Sequence, residues 1–170
     1  MAPLVRRSWQ PRGRTPVVVQ RGRHLQKVSA IAALAVSPRR DRLRLYFRLH
    51  PQAEIGAAQV IGFLRHLNQE LKGPWVLVWD RLNAHRAKRT AQFVESVYHL
   101  HTFFLPAYAP ELNPVEYAWS YLKMNPLANR PAFETAELAA MTHRHARALQ
   151  RDEPLLRSFL RHSPLFLRLR

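Results

Sequence analysis

The sequence predicts an α/β protein, a mixed sheet flanked by helices, and three observations carry that reading. Residues 43–49 alternate strictly, with Leu43, Leu45, Phe47 and Leu49 interleaved by Arg44, Tyr46 and Arg48, behind a small-residue apolar segment at 25–36. The short continuous apolar run at 75–79 has the length and composition of a buried strand, and His101-Thr102-Phe103-Phe104-Leu105 reads as another. Segments of helical period stand before, between and after those runs, the order expected of strands joined by helices.

Taken in order, residues 1–24 are basic and punctuated by Pro3, Pro11, Gly13, Pro16 and Gly22. They read as a loop and edge segment with a β-like run at Val17, Val18 and Val19. Residues 25–36 and 42–49 read as an antiparallel pair turned by Ser37-Pro38-Arg39-Arg40-Asp41, with a basic face toward solvent. Over 54–71, Val60, Leu64, Leu67 and Leu71 recur at helical spacing until Lys72-Gly73-Pro74 stops the helix. Trp75-Val76-Leu77-Val78-Trp79 is the next strand, buried on both faces. A single helix over 84–98 then presents Ala87, Ala91, Val94 and Tyr98 on one side. Its first turns carry His85, Arg86, Lys88 and Arg89, cations that oppose the helix dipole and so are poorly placed for stability alone. After the strand at 101–105, a helix opens near Asn113 with Val115, Trp119 and Leu122 on its inner face. Helices near 134–150 and 154–162 complete a C-terminal helical part spanning 134–170.

The 170 residues suit one globular domain, and a hydrophobic content of 47% supports a core. No apolar run approaches the roughly 20 residues that span a bilayer, so no membrane partner is expected. The N-terminus has no signal-like apolar stretch, and the absence of cysteine excludes disulfides and thiolate metal sites. An intracellular protein, cytoplasmic and associated with the nucleoid when bound to DNA, is the expectation. Net charge is +16, and residues 1–50 hold twelve Lys and Arg against one acid, Asp41. A field of that sign attracts polyanions and supplies non-specific nucleic-acid affinity.

The chemistry centres on two acids. Asp80 closes the 75–79 strand, where open α/β sheets gather functional groups, although Asp is equally at home in a turn or as a helix cap. Glu116 follows the loop 105–110 and the turn Glu111-Leu112-Asn113-Pro114-Val115. There Asn113 suits the N-cap, Pro114 the first helical position, and Glu116 the third, nearly a capping box. Two consecutive strands, each followed by an acid-bearing loop or helix start, bring their ends to one rim of the sheet. Carboxylates gathered there suit Mg²⁺ or Mn²⁺, and a two-metal site activates water and stabilises a leaving phosphodiester oxygen. Capping and metal binding are compatible.

Here the residues reach a resemblance. Asp80 with Asn83 and His85 close behind resembles the second-acid motif of mariner-like DDE transposases. Leu105-Pro106-Ala107-Tyr108-Ala109-Pro110-Glu111-Leu112-Asn113-Pro114-Val115-Glu116, with Trp119 and Lys123, resembles that family's third-acid motif in its bacterial insertion-sequence branch. Trp9-Gln10-Pro11-Arg12-Gly13-Arg14-Thr15-Pro16 is similar to a segment these proteins carry after their first strand, and residues 81–115 give the family's spacing between acids. The resemblance implies an RNase H-like fold and a metal-dependent endonuclease and strand-transferase acting on the terminal inverted repeats of its own element and on target DNA. Asp80 and Glu116 become catalytic metal ligands; Glu111 is the competing acid, and Asn83, His85 and Lys123 are accessory. Arg12, Arg14, Arg86, Lys88 and Arg89 are the residues expected to meet DNA.

One departure stands out. The family's first catalytic aspartate lies on a central strand just before the Trp-x-Pro-Arg-Gly segment, and residues 1–8 hold no acid. Asp41 sits in the hairpin turn. The expectation is therefore a catalytic domain incomplete at its N-terminus and lacking the central first strand. It either works with a second copy or a full-length transposase, or survives as an inactive DNA-binding or regulatory remnant.

Overall fold

In the computed structural model, residues 7, 9, 11–14, 17, 27–129, 134–165 and 169 are described. The expected β-like run at 17–19 and most of the basic segment 1–24 lie outside them. Strands β1 (Val28–Val36) and β2 (Leu43–Pro51) form an antiparallel pair in register from Val28 opposite Pro51 to Val36 opposite Leu43. The turn between them closes on Ser37. Its hydroxyl donates to Asp41 Oδ1 at 2.6 Å and accepts the Arg42 N–H at 3.1 Å, so Asp41 is occupied in the hairpin turn, as the sequence predicts.

Helix α1 (Ala57–Glu70) buries Val60, Phe63, Leu64 and Leu67 and ends before Gly73, whose φ of +93° is reached without strain only by glycine. Strands β3 (Trp75–Trp79) and β4 (Leu100–Phe104) pair in parallel, from Trp75 opposite Leu100 to Trp79 opposite Phe104. Between them run the short helices α2 (Asn83–Arg86) and α3 (Lys88–Glu95). A single turn of 3-10 helix at Pro110–Leu112 precedes α4 (Pro114–Met124), and α5 (Thr135–Arg151) and α6 (Glu153–His162) follow.

The expected mixed sheet is divided. Among the described residues β1–β2 and β3–β4 are two separate two-stranded sheets, and no strand pairs with the free edges of β1 and β3. The β1–β2 layer is covered on both faces. Leu43 and Leu45 pack with Leu122, Leu127, Ala146, Leu156 and Phe159 of the C-terminal half, forming one core. Tyr46 turns the other way, into a second core with Val60, Phe63, Leu64, Leu67 and Trp79. The predicted solvent-facing side of β2 is therefore only partly so: Arg44 and Arg48 are exposed, while Tyr46 is buried under α1.

Three further expectations are corrected. β3 and β4 are not buried on both faces. Val76 is 59% and Phe103 61% exposed, because α1 covers one side of this sheet while α5 and α6 pack on β1–β2 instead. The single helix over 84–98 breaks at Ala87, whose ψ of 138° is extended. The two pieces are held together by buried Thr90, whose hydroxyl donates to the Ala84 carbonyl at 2.7 Å. That break rotates the inward face to Thr90, Phe93 and Val94 and leaves Ala91 exposed, and because α3 ends at Glu95, Tyr98 lies beyond the helix, exposed. In α4 the fully packed positions are Ala118 and Leu122; Trp119 is half-buried against the same core.

Candidate active site

Asp80 leaves the carboxyl end of β3 and turns the chain. Its Oδ1 accepts the Leu82 N–H at 3.0 Å, an Asx turn that starts the path into α2. The same oxygen faces His85 Nδ1 at 2.8 Å. That interaction, then the Leu82 N–H, hold the Asp80 carboxyl below the usual carboxylate range, although partial burial pushes it up. His85 is itself sheltered, its side chain 14% exposed, and its ring stacks on Trp79 with centroids 4.7 Å apart at 17°. Trp79 stacks in turn on Phe104, at 5.7 Å and 12°. Its indole Nε1 is buried without a partner among the described residues.

Arg81 completes this stack, and sequence reasoning missed it. Its guanidinium lies 5.6 Å from the Phe104 ring centroid, and its Nε donates to the Leu105 carbonyl at 3.2 Å. The Leu105 N–H donates to the Trp79 carbonyl at 2.8 Å. The ends of β3 and β4 are thus tied by backbone, aromatic and cationic contacts at the point where both acid-bearing segments depart. The only sequence signal for Arg81 was its position next to Asp80.

Glu116 stands on the first turn of α4, at its exposed side. Asn113 is the N-cap, its Oδ1 accepting the Val115 N–H at 3.2 Å. The reciprocal half of the expected capping box does not form: among the described residues no hydrogen bond engages the Glu116 carboxylate. Desolvation raises its pKa, Lys123 on the same helix opposes that, and the Asp80 charge adds to the rise. The two acids therefore share one electrostatic site.

Asp80 Oδ2 and both Glu116 oxygens are free of hydrogen bonds among the described residues, which fits oxygen ligands for a hard divalent cation. No group of three metal-ligating side chains converges among the described residues. Glu111 sits exposed in the 3-10 turn, where its backbone carbonyl accepts the Tyr117 hydroxyl at 3.3 Å, and it is not among the charges acting on Asp80 or Glu116. Asn83 opens α2 and is exposed, and among the described residues it makes no hydrogen bond to Asp80. Arg86, Lys88 and Arg89 are exposed around the α2–α3 break, the last two at the N-terminus of α3. Arg12 and Arg14 flank Gly13 in an exposed turn closed by the Arg14 N–H to the Pro11 carbonyl at 3.1 Å.

The sequence matches the DDE superfamily endonuclease family over residues 2–139, most of the chain. The chain belongs to that family. No curated protein matches this DDE endonuclease chain. Solved structures do. It is similar to the Mos1 mariner paired-end complex with Mn, with a TM-score of 0.65 and 16% identity over 96% of this chain and 48% of that one. The Mos1 paired-end complex with the left transposon end gives a TM-score of 0.64 at 16% identity, over 95% and 47%. The catalytic domain of Mos1 mariner transposase gives 0.55 at 17%, over 80% and 76%. The chain thus spans about half the length of the Mos1 chains in the paired-end complexes. At these identities the likeness shows the fold: a DDE endonuclease chain with the mixed α/β, RNase H-like arrangement of the Mos1 catalytic domain.

Proposed function

We propose that the chain is the catalytic domain of an insertion-sequence transposase that cleaves DNA and transfers strands at the ends of its own element. The observation that carries this is the pairing of Asp80 and Glu116. They are two carboxylates, one at the carboxyl end of β3 and the other on the first turn of the helix that follows β4, close enough that the charge of Asp80 opposes ionisation of Glu116. Both would hold Mg²⁺ or Mn²⁺, which when bound supplies an activated water and charge for the leaving oxygen. The chain's own residues do the rest. His85 and the Leu82 N–H hold Asp80 in its ionised form, Asn113 fixes the helix start that presents Glu116, and Lys123 tempers the negative charge. Arg12, Arg14, Arg86, Lys88 and Arg89 contact the phosphates of the terminal repeats and of target DNA. The protein works in the bacterial cytoplasm, on the nucleoid, as a homodimer or with a longer transposase copy.

A second reading has a specific observation behind it: among the described residues no third acid joins the pair. On that reading the chain binds element ends without cutting them, as a regulatory relative of transposases. Plasmid nicking in the presence of Mg²⁺ or Mn²⁺ separates the two. The catalytic reading expects cleavage that Asp80→Asn and Glu116→Gln each abolish. Salt-sensitive binding of DNA without metal and without nicking supports the second reading instead.

A further inference from the structure

We propose that His85 is a positioning residue that aims the Asp80 carboxylate by pinning Oδ1 and leaving Oδ2 as the metal-facing oxygen, an inference that rests on the metal-site reading of Asp80 and Glu116. The two atoms that face His85 Nδ1 are both acceptors, Asp80 Oδ1 at 2.8 Å and the Asp80 carbonyl at 3.2 Å. The proton therefore sits on Nδ1, and the ring donates. A second donor, the Leu82 N–H at 3.0 Å, meets the same Oδ1 from the backbone. Two donors on one oxygen fix the plane of the carboxylate and leave the other oxygen unspent among the described residues.

The ring is held as firmly as the acid it holds. It lies flat on Trp79, 4.7 Å between centroids at 17°, and Trp79 is braced by Phe104. Thr90 ties the short helix bearing His85 to α3 through the Ala84 carbonyl. A surface histidine has no need of this. A side chain 14% exposed, stacked on one face and hydrogen-bonded to a carboxylate, resembles the outer-shell partners that orient metal ligands elsewhere, whose loss weakens metal affinity about 10–100-fold.

The donor and the stack can be separated by substitution. His85→Phe keeps a flat ring on Trp79 and removes the donor. His85→Asn removes the ring and keeps an amide N–H two bonds beyond Cβ, where Nδ1 stands. Mn²⁺ affinity of the full chain, measured by calorimetry without DNA, and thermal unfolding without metal are the two readouts. The expected result is a loss of about tenfold or more in Mn²⁺ affinity for His85→Phe, which still folds with a melting temperature lowered by no more than Asp80→Ala lowers it, with affinity retained in His85→Asn. Parent-like Mn²⁺ affinity in His85→Phe, or an equal loss in both variants, overturns the positioning role while leaving the metal site standing. If His85→Phe does not fold, His85→Gln, whose donor lies one bond too far, takes its place against His85→Asn. No saturable Mn²⁺ binding by the parent chain itself overturns the metal-site reading, and the role of His85 with it.

Discussion

The two candidate ligands should respond oppositely to removal of their charge. Asp80 accepts two hydrogen bonds on Oδ1, from the Leu82 N–H and from His85. Bonds to an ionised group contribute about 1.5–3 kcal/mol each where water is excluded. The Asp80 side chain is 46% exposed, so water replaces part of what Asp80→Ala removes, and the loss should be about 1–2 kcal/mol. For a chain of this size that lowers the melting temperature by about 3–6 °C. Glu116 is different. No hydrogen bond rewards its carboxylate among the described residues, and desolvation and the Asp80 charge both work against its ionised form, with Lys123 opposing them. Glu116→Gln should therefore be neutral or slightly stabilising at pH 7, within about 0.5 kcal/mol.

The pH dependence fixes the signs. The folded pKa of Glu116 lies above its ordinary 4.5, so its ionised form costs stability at neutral pH. That cost disappears as pH falls through the folded value and below 4.5. The folded pKa of Asp80 lies below its ordinary 3.8, so its contribution is complete above that value and is lost as pH falls through the folded one. Melting curves of the parent, Asp80→Ala and Glu116→Gln from pH 7 down to acid, without metal, should show two differences of opposite sign that both shrink in acid. A loss of a full kcal/mol in Glu116→Gln at pH 7 that vanishes in acid would refute the reasoning. It would make the ionised carboxylate a stabilising charge at the N-terminus of α4.

Other consequences are checked as directly. Changing Arg86, Lys88 and Arg89 to Ala should each weaken DNA binding evenly across sequences and reduce the slope of log affinity against log salt by about 0.9, read from titrations at several salt concentrations. Leu122→Ala empties a fully buried position beneath α4 and should cost about 2–5 kcal/mol in denaturant unfolding. Gly73→Ala meets no atom within 4 Å, so its effect is that of the backbone alone; at a φ of +93° the loss should be about 1 kcal/mol or more.

Where period and punctuation agree with packing, the sequence was readable. The alternation over 43–49 places Leu43 and Leu45 in one core, and Asn113 with Pro114 starts α4 at the predicted residue. The failures have definite causes. The break at Ala87 carries no glycine or proline; it depends on Thr90 reaching the Ala84 carbonyl, a contact that composition does not announce. Tyr46 and Val76 were assigned to the wrong surroundings because burial of a strand face depends on which helices cover it. Here the C-terminal helices cover β1–β2 and leave one face of β3–β4 open. His85 could be named from its motif. Its hydrogen bond to Asp80 and its stack on Trp79 are tertiary facts, and Arg81 had no signal beyond adjacency.

The division of the core explains why the rim needs such bracing. Asp80 extends from the core built around α1 and Trp79, whereas Glu116 rides on α4, whose Ala118 and Leu122 belong to the other core. The β1–β2 layer feeds both, through Leu43 and Leu45 on one face and Tyr46 on the other. The segment from β4 to α4 crosses between them, and it is anchored at its start by the Leu105 N–H to Trp79 and by Arg81 to the Leu105 carbonyl. At its end, Ser163 Oγ donates to the Leu112 carbonyl at 3.0 Å, one residue before Asn113. Two acids that must meet a common cation are therefore positioned from different cores. Their separation is set by that short, doubly anchored crossing, because no strand joins the two sheets among the described residues. Small changes in the crossing should then disturb the site more than changes of equal stability cost deep within either core.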